Sequence, residues 1–408
     1  MDAYQSAQAW GPALVQSHVL SSTEVRAIIS LLKDRIPLHL PPISMSQQQM
    51  HVVVVKDKGV AVVETAPVPQ PRPNQVLVQV RVNGVNPTDW KHLYMFGREG
   101  AWLGSDFAGV VISKGAEAGS LLNEGDRVAG CLHGGWNPGQ GCFADYVAVK
   151  PETLVKIPSN ISDEEAASIG TPGYTALLGL FQPIFLGLPT PSATELPPVD
   201  GHVKVLVWSG ASCVGQYAVQ MARAAGAYVI TTASEKNHEW LKSLGAAETY
   251  SYADANVPEK IAQAHPDLVA ALDTYSENGS TEACARAMSK TQACKVVALL
   301  PVDERAVVAA NSRVSVAFTM IYSALGEPIS TPRFGTIDQA RCNEDLQFLL
   351  NYANGDKGLL YAQLSSGVIK PNRISVQQGG LSGVLEGAEK LRKGLISACL
   401  LYTSPSPR

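Results

Sequence analysis

Gly210-Ala-Ser-Cys-Val-Gly215 is a run of small residues between a strand pattern and a helix pattern. Such a turn lets backbone amides approach a pyrophosphate at the positive end of a helix. The next strand pattern ends in Thr231-Thr-Ala-Ser-Glu-Lys-Asn237, where a dinucleotide-binding unit reads the ribose. Ser234 and Asn237 can donate to a 2′-phosphate and Lys236 can neutralise it, whereas Glu235 suits free ribose hydroxyls. Together these stretches point to NADPH more than to NADH. The glycine pattern is not a strict G-x-G-x-x-G, because four residues separate Gly210 from Gly215. A strand–helix–strand unit that binds no nucleotide is the competing reading.

The elements around the turn are legible. Val203, Val205, Leu206 and Val207 suit a buried parallel strand. From Gln216 the pattern becomes helical, with Ala218, Met221, Ala222 and Ala225 on one face and Gly226 at the C-terminal cap. A second strand follows at 227–232. Further strands are predicted at 248–252, 268–272 and 295–300, the spacing of a parallel sheet with crossover helices. Before residue 170 the texture differs. Short strands at 51–55, 59–64, 76–82 and 143–149, broken by Gly and Pro, predict a β-barrel-like domain. Ser162, with Glu165 three residues on, predicts a capped helix over 163–169. Helices at 343–354 and 383–392 flank a strand at 375–377, and this part is expected to return to the first domain.

The fold class is therefore α/β. The expected division is an N-terminal extension (1–50), a β-rich domain (51–170), a nucleotide-binding domain (171–335), a return segment (336–398) and an atypical tail (399–408). With 408 residues, 46% of them hydrophobic and 17% charged, the chain can bury a sizeable core. A net charge of −4 advertises neither nucleic acid nor an anionic membrane, and no apolar run reaches spanning length. The seven cysteines form no C-x-x-C pair, which fits a reducing, cytoplasmic setting and argues against a disulfide scaffold or a structural zinc lobe. Before residue 45, a helix is predicted at 23–34 and a Pro-rich stretch at 36–43; Met45 and Met50 are both credible starts. At the other end, the two prolines of Ser404-Pro-Ser-Pro407 predict a segment that breaks strand pairing.

Four further segments add a family pattern. They are Val85-Asn-Pro-Thr-Asp-Trp-Lys91, Leu103-Gly-Ser-Asp-Phe-Ala-Gly-Val-Val111, Glu124-Gly-Asp-Arg-Val128 and Gly141-Cys-Phe-Ala-Asp-Tyr146. In this order, with the turn after Val207, they resemble the medium-chain dehydrogenase/reductases. The resemblance spans roughly residues 52–393 and implies a GroES-like catalytic domain followed by a Rossmann-type, doubly wound sheet. The Pro-rich insertion Leu186-Gly-Leu-Pro-Thr-Pro-Ser-Ala-Thr-Glu-Leu-Pro-Pro198 looks like that of the fungal trans-acting enoyl reductases, which serve polyketide synthases.

The resemblance implies roles for particular residues. Cofactor contacts would come from Thr88, Asp89, Trp90 and Lys91, and from Gly210, Ala211, Ser212, Cys213, Val214 and Gly215. Ser234, Lys236, Asn237, Tyr252, Leu299, Leu300, Lys393 and Gly394 complete that set. Lys91 near the nicotinamide and Thr175 at the substrate mouth would be the catalytic pair, with Tyr174 or a water as rival proton donors. The substrate would lie along Thr175, Ala176, Leu177, Leu178, Gly179, Leu180, Phe181 and Gln182, and along Ile321, Tyr322, Ser323, Ala324 and Leu325; both runs equally suit core packing. Zinc-dependent members carry a cysteine and a histidine where this chain has Pro87 and Ser105–Asp106. His92 and His133 lack a third soft ligand at sensible spacing. No metal is therefore expected.

The implied activity is reduction of an activated C=C bond with NADPH, on an acyl chain carried by a polyketide synthase, by a monomer or homodimer. A stand-alone quinone or 2-alkenal reductase and a non-catalytic nucleotide-binding relative are the alternatives.

Overall fold

Valine-rich, β-branched segments supply the first strands, and Val52–Val55 of the opening one are all buried. A computed structural model describes residues 48–331, 335–395 and 399–403. The predicted helix at 23–34, the Pro-rich stretch and Met45 lie outside the described residues. Strand β1 (Gln49–Asp57) pairs antiparallel with β2 (Val60–Pro67). Strand β3 (Val76–Val85) pairs with β4 (Asp106–Lys114), β4 with β5 (Arg127–Cys131), and β3 also with β6 (Tyr146–Val149). The short β7 (Val155–Lys156) closes on β5. Leu103, Phe107, Leu122, Phe143 and Leu154 are fully buried between these strands.

The capping box at Ser162 forms. Its hydroxyl accepts from the Glu165 amide at 3.1 Å, and Glu165 accepts from the Ser162 amide at 2.9 Å. The helix it starts is shorter than expected, Asp163–Ala166, and a second helix, Gly170–Phe181, takes over. Its first turn is held by Asp106, which accepts from the Thr171 amide at 2.7 Å and the Thr171 hydroxyl at 2.6 Å. A carboxylate at a helix N-terminus complements the unsatisfied amides there.

The second sheet has six parallel strands. They are β8 (Asp200–Trp208), β9 (Ala227–Ala233), β10 (Glu248–Ser251), β11 (Ala270–Asp273), β12 (Cys294–Ala298) and β13 (Val314–Phe318). Their spatial order is β10-β9-β8-β11-β12-β13. The order reverses beside β8, so ligands are expected beyond the carboxyl ends of β8 and β11. The edge strand β13 had no sequence expectation; Val314-Ser-Val-Ala-Phe318 is too short to separate from a buried helix turn by pattern.

A small hairpin, β14 (Ile329–Thr331) with β15 (Gly335–Ile337), precedes helices Gln339–Leu349 and Leu359–Ser366. The first lies earlier than the predicted 343–354, starting where the Asp338 side chain accepts from the Arg341 amide. Strand β16 (Ile374–Gln377) and helix Gly380–Arg392 follow.

The tail departs from expectation. Cys399–Thr403 is strand β17, parallel to β16 and antiparallel to β3. Leu400, Leu401 and Tyr402 are buried in its middle. The pair-breaking prolines begin only at residue 405, beyond the strand, and the residues from 404 lie outside the described part. The run Cys399-Leu-Leu-Tyr402 is itself apolar enough to fill the slot between β16 and β3.

Candidate functional site

A cavity of about 1090 Å³ opens at the carboxyl ends of β8, β11 and β12. Its floor is the turn after β8. Ser209 there has φ 61°, a left-handed conformation unusual outside glycine. The Ser209 amide donates to the Thr232 hydroxyl at 3.0 Å, and its carbonyl accepts from the Thr274 hydroxyl at 3.0 Å. Gly210 has no room for a side chain, since a Cβ would lie 2.1 Å from Thr231 Oγ1. At Gly215 a Cβ would lie 2.5 Å from the Ser209 carbonyl oxygen. These approaches, rather than exposure to ligand, require the two glycines.

Ser212 caps the following helix, Cys213–Ala224, by accepting from the Gly215 amide at 2.9 Å. Its hydroxyl is also 2.8 Å from that of Thr274. The helix starts three residues before the predicted point, because the cap is Ser212. Ala211, Ser212, Cys213 and Val214 line the cavity. The first amides of a helix have no intrahelical acceptor and suit a pyrophosphate; here that of Gly215 is taken by the Ser212 hydroxyl, and Cys213 and Val214 stand at the cavity. Ser234, Lys236, Asn237 and Tyr252 line the same wall, whereas Glu235 is exposed outside it. Asn237 donates to the Ser234 hydroxyl at 3.1 Å. Arg286, which sequence reading missed, joins Lys91, Lys236 and Arg392 among the cations of the lining and pairs with Glu259 at 3.1 Å. The residues present therefore fit a dinucleotide.

The opposite wall comes from the short helix Pro87–Lys91. Thr88, Trp90 and Lys91 line the cavity, and Lys91 Nζ pairs with Glu277 at 2.9 Å across it. Leu299 and Leu300 beyond β12 line it too, as does Gly394. Thr175 is buried at its edge.

A polar cluster continues inward from this wall, and His92, His133, Trp136 and Tyr322 of it line the cavity as well. The Tyr322 hydroxyl is 2.6 Å from Thr88 Oγ1 and 3.3 Å from Ser105 Oγ, and Ser105 Oγ donates to Asp89 Oδ1 at 2.9 Å. Thr88 Oγ1 lies 3.2 Å from His92 Nδ1, and His92 Nε2 lies 3.1 Å from His133 Nε2. His133 stacks between Tyr322, at 3.8 Å between ring centroids, and Trp136, at 5.1 Å. Burial dominates the protonation of these groups. It pushes Asp89 up to about 7, against hydrogen bonds from Asn86 and Ser105. It pushes Asp106 up to about 6, against those from Thr171 and Asn86. It pulls His92 down to about 4 and His133 well below the usual histidine value, the latter helped by His92 and Arg98. The linear sequence shows Thr88 and His92 four apart on one helix face, but nothing in it brings Tyr322 or His133 to them.

Several expected site residues are placed elsewhere. Asp89 is 2% exposed and turned into the polar cluster, so it does not touch the cavity. Gly210 and Gly215 shape the turn without lining it, and Lys393 pairs with Glu389 at 3.3 Å. Of the run from Thr175 to Gln182, only Thr175 reaches the cavity. Ala176, Leu177, Leu178, Leu180 and Phe181 belong to the core on all sides of a buried helix. Gly179 packs on Leu272, and Gln182 donates to Asp345. Of the second run, Ile321 and Tyr322 line the cavity. Ser323 donates to Asp345, Ala324 is buried, and the Leu325 carbonyl accepts from Lys150. Tyr174 is no rival proton donor, because its hydroxyl donates to the Thr153 carbonyl at 2.8 Å inside the core.

Among the described residues no group of three or more His, Cys, Asp or Glu is arranged to hold a metal ion. No helix among them is long and apolar enough to cross a membrane.

Comparison with known proteins places these features. A family model described as an alcohol dehydrogenase GroES-like domain matches residues 72–159, and one described as a zinc-binding dehydrogenase matches residues 213–331. Trans-enoyl reductase ACTTS2 of Alternaria alternata is 34% identical over 354 residues, covering 86% of this chain and 97% of that protein. Trans-enoyl reductase fsa3 of a Fusarium species is 33% identical over 362 residues, covering 86% and 98%. Among solved structures, the CurK enoyl reductase superposes with a TM-score of 0.66 at 20% identity, covering 88% of this chain and 100% of that one. A quinone oxidoreductase from Coxiella burnetii superposes with a TM-score of 0.63 at 24% identity, again over 88% and 100%. The two superpositions show the shared fold.

Proposed function

The chain belongs to the trans-enoyl reductases of the medium-chain dehydrogenase/reductase family, and from that premise we propose that it reduces the C=C bond of an enoyl thioester with NADPH. The observation that carries this reading is the single cavity joining the turn at Ala211–Val214 to Lys91, Thr88 and Thr175. Reduced nicotinamide, when bound, supplies the hydride.

The protein's own groups do the rest. The amides at the start of helix Cys213–Ala224 hold the pyrophosphate. Ser234, Lys236 and Asn237 hold the 2′-phosphate, a preference supported by the position of Glu235 outside the wall. As charge develops on the thioester oxygen, fixed donors and cations lower the barrier. Lys91 is such a cation, oriented by Glu277. Thr175 positions the acyl chain at the cavity edge. The apolar side chains of Ile321 and Met320 keep that end dry.

The reaction needs no zinc in this reading. Pro87 offers no ligand atom, and Ser105 is committed to Asp89. His92 and His133 are bonded to each other through their Nε2 atoms. A metal content near zero by elemental analysis, with activity surviving chelation, is the expected result; one zinc per chain with loss on chelation would overturn it.

The substrate is an acyl chain presented by a polyketide synthase, a reading that rests on the resemblance of the insertion at 186–198 and on the names of the relatives. A second reading, a quinone reductase, draws on the flat stack of His133 and Trp136, whose planes differ by 4°. NADPH oxidation measured with enoyl thioesters of several lengths, with and without an α-methyl branch, separates the two when run beside free quinones. Turnover of thioesters is expected; reduction of quinones alone would reject the enoyl reading.

A further inference from the structure

Adding hydride to an enoyl thioester leaves a negative enolate, which must take a proton at the α-carbon. Thr88 faces the cavity from the Pro87–Lys91 helix and is hydrogen-bonded to Tyr322, a lining residue whose hydroxyl is engaged by Thr88 and Ser105. From it a line of hydroxyls runs inward: Thr88 Oγ1 to Tyr322 at 2.6 Å, Tyr322 to Ser105 at 3.3 Å, and Ser105 to Asp89 Oδ1 at 2.9 Å. Each link is a hydrogen bond between groups that both donate and accept, so the direction of the line reverses by rotating hydroxyl hydrogens. It ends at a carboxyl sealed from solvent, whose other oxygen accepts from the Asn86 amide at 2.7 Å.

Resting on the enoyl reading above, we propose that Thr88, Tyr322 and Ser105 form a proton path along which the acid form of Asp89 supplies the α-carbon. The Thr88 O–H bond breaks as the C–H bond forms. Thr88 takes the Tyr322 proton, Tyr322 takes that of Ser105, and Ser105 takes the carboxyl proton of Asp89. The charge of the enolate thus ends on the Asp89 carboxylate, and no oxidant or reductant is consumed. Water reaching Thr88 in the open cavity returns the proton along the same line after product leaves.

The surroundings of Asp89 keep its acid form available. Facing it are the Asp106 carboxyl from β4, the Cys142 thiol and the Tyr322 hydroxyl, while His92, one turn on and hydrogen-bonded to the Thr88 carbonyl, is held neutral near pH 7 by burial. None of the groups that shift it is a lysine or arginine. Burial and the neighbouring carboxyl both favour the proton-bearing form, so the store is charged in the pH range where the enzyme would work. Thr88 is the group that touches substrate; Tyr322, Ser105 and Asp89 act through it.

The test uses the full chain with NADPH and an α-methyl enoyl thioester in H2O and in D2O. For Ser105→Ala, kcat is expected to fall about 100-fold with KM within about threefold, a loss of the size general acids supply. Its solvent isotope effect should rise, and the alkaline limb of the wild-type profile near pH 7 should vanish. Tyr322→Phe should behave alike, and Ser105→Thr should restore both rate and limb. An independent readout is the infrared carboxylic acid band of the cofactor-free protein. Its component titrating near pH 7, above that of Asp106, should be absent in Asp89→Asn and move in Ser105→Ala. Wild-type kcat, isotope effect and pH limb in both Ser105→Ala and Tyr322→Phe would overturn the path alone. Absence of thioester turnover in the unmodified protein would instead remove the enoyl reading, and the path with it.

Discussion

The hydroxyls of Tyr322 and Thr88 lie 2.6 Å apart, although 234 positions separate them in the chain. One belongs to the turn after β13 and the other to the helix after β3, so this contact ties the end of the parallel sheet to the first sheet. The cavity wall is therefore assembled from both, and its chemistry depends on how each is folded.

Cofactor choice is testable at one residue. Lys236 is an exposed cation on the wall with Ser234 and Asn237 beside it. Lys236→Glu should weaken NADPH about tenfold or more, the scale of one lost charge-assisted contact, and NADH by less than about threefold. Fluorescence titration with each cofactor measures this. Equal affinity of the unmodified protein for both would remove the basis for NADPH.

Asp89 should make stability depend on pH. Its folded pKa, about 7, lies above its ordinary value, 3.8, so between these limits the folded state binds more protons than the unfolded state. Stability from this group is then full below pH 4 and is lost as pH rises through 7. Asp89→Asn keeps an acceptor for Asn86 while removing the charge. Its melting temperature should fall less than that of the unmodified protein between pH 5 and pH 8. Parallel melting curves across that interval would contradict the assignment.

Gly210 has a steric reason that can be relieved. Gly210→Ala would press a methyl group against Thr231 Oγ1, which is fixed by donation to the Val207 carbonyl at 2.7 Å. A cost of about 1–3 kcal/mol is expected. Adding Thr231→Ala removes the clashing atom, so the double variant should recover part of that loss in a denaturation cycle. Simple additivity of the two changes would show that the contact is not the cause.

Strand β17 carries the last test. Tyr402 is 2% exposed, and a Cβ on Gly383 or Gly387 would lie 2.5 or 2.7 Å from its ring. Tyr402→Ala should cost about 3–5 kcal/mol, as for other buried aromatics. Gly387→Ala should also destabilise, by overpacking. NADPH binding should persist in both at low temperature, because β17 is not part of the parallel sheet. Unchanged thermal stability of Tyr402→Ala would mean that the strand does not form.

The parallel sheet was legible because each strand is a short apolar run followed by small or turn-forming residues, and the Ser212 cap and Ser162 box are local signals. The cavity wall at Ala211–Val214 and at Ser234, Lys236 and Asn237 followed from the same local chemistry. The substrate run 176–182 was not legible. Apolar residues on every side of a helix read equally as a lining or as a core, and here neighbours on all sides make it core. The inward turn of Asp89 was hidden too, because its neighbours Thr88, Trp90 and Lys91 all face the cavity. β17 was misread by giving weight to prolines that follow the strand rather than occupy it.

The position of β17 between β16 and β3 has a consequence for synthesis on the ribosome. The parallel sheet is built from a contiguous stretch, 200–318, and can close while later residues are still being added. The first sheet cannot. Its strand β3 emerges early and pairs with β4 and, over Val76–Gln79, with β6, but its Val82–Val85 end waits unpaired on one side until residues 399–403 arrive to cover it. During that interval the nascent chain carries a finished nucleotide-binding half and an unfinished partner, so chaperone capture and misassembly should concentrate on β3.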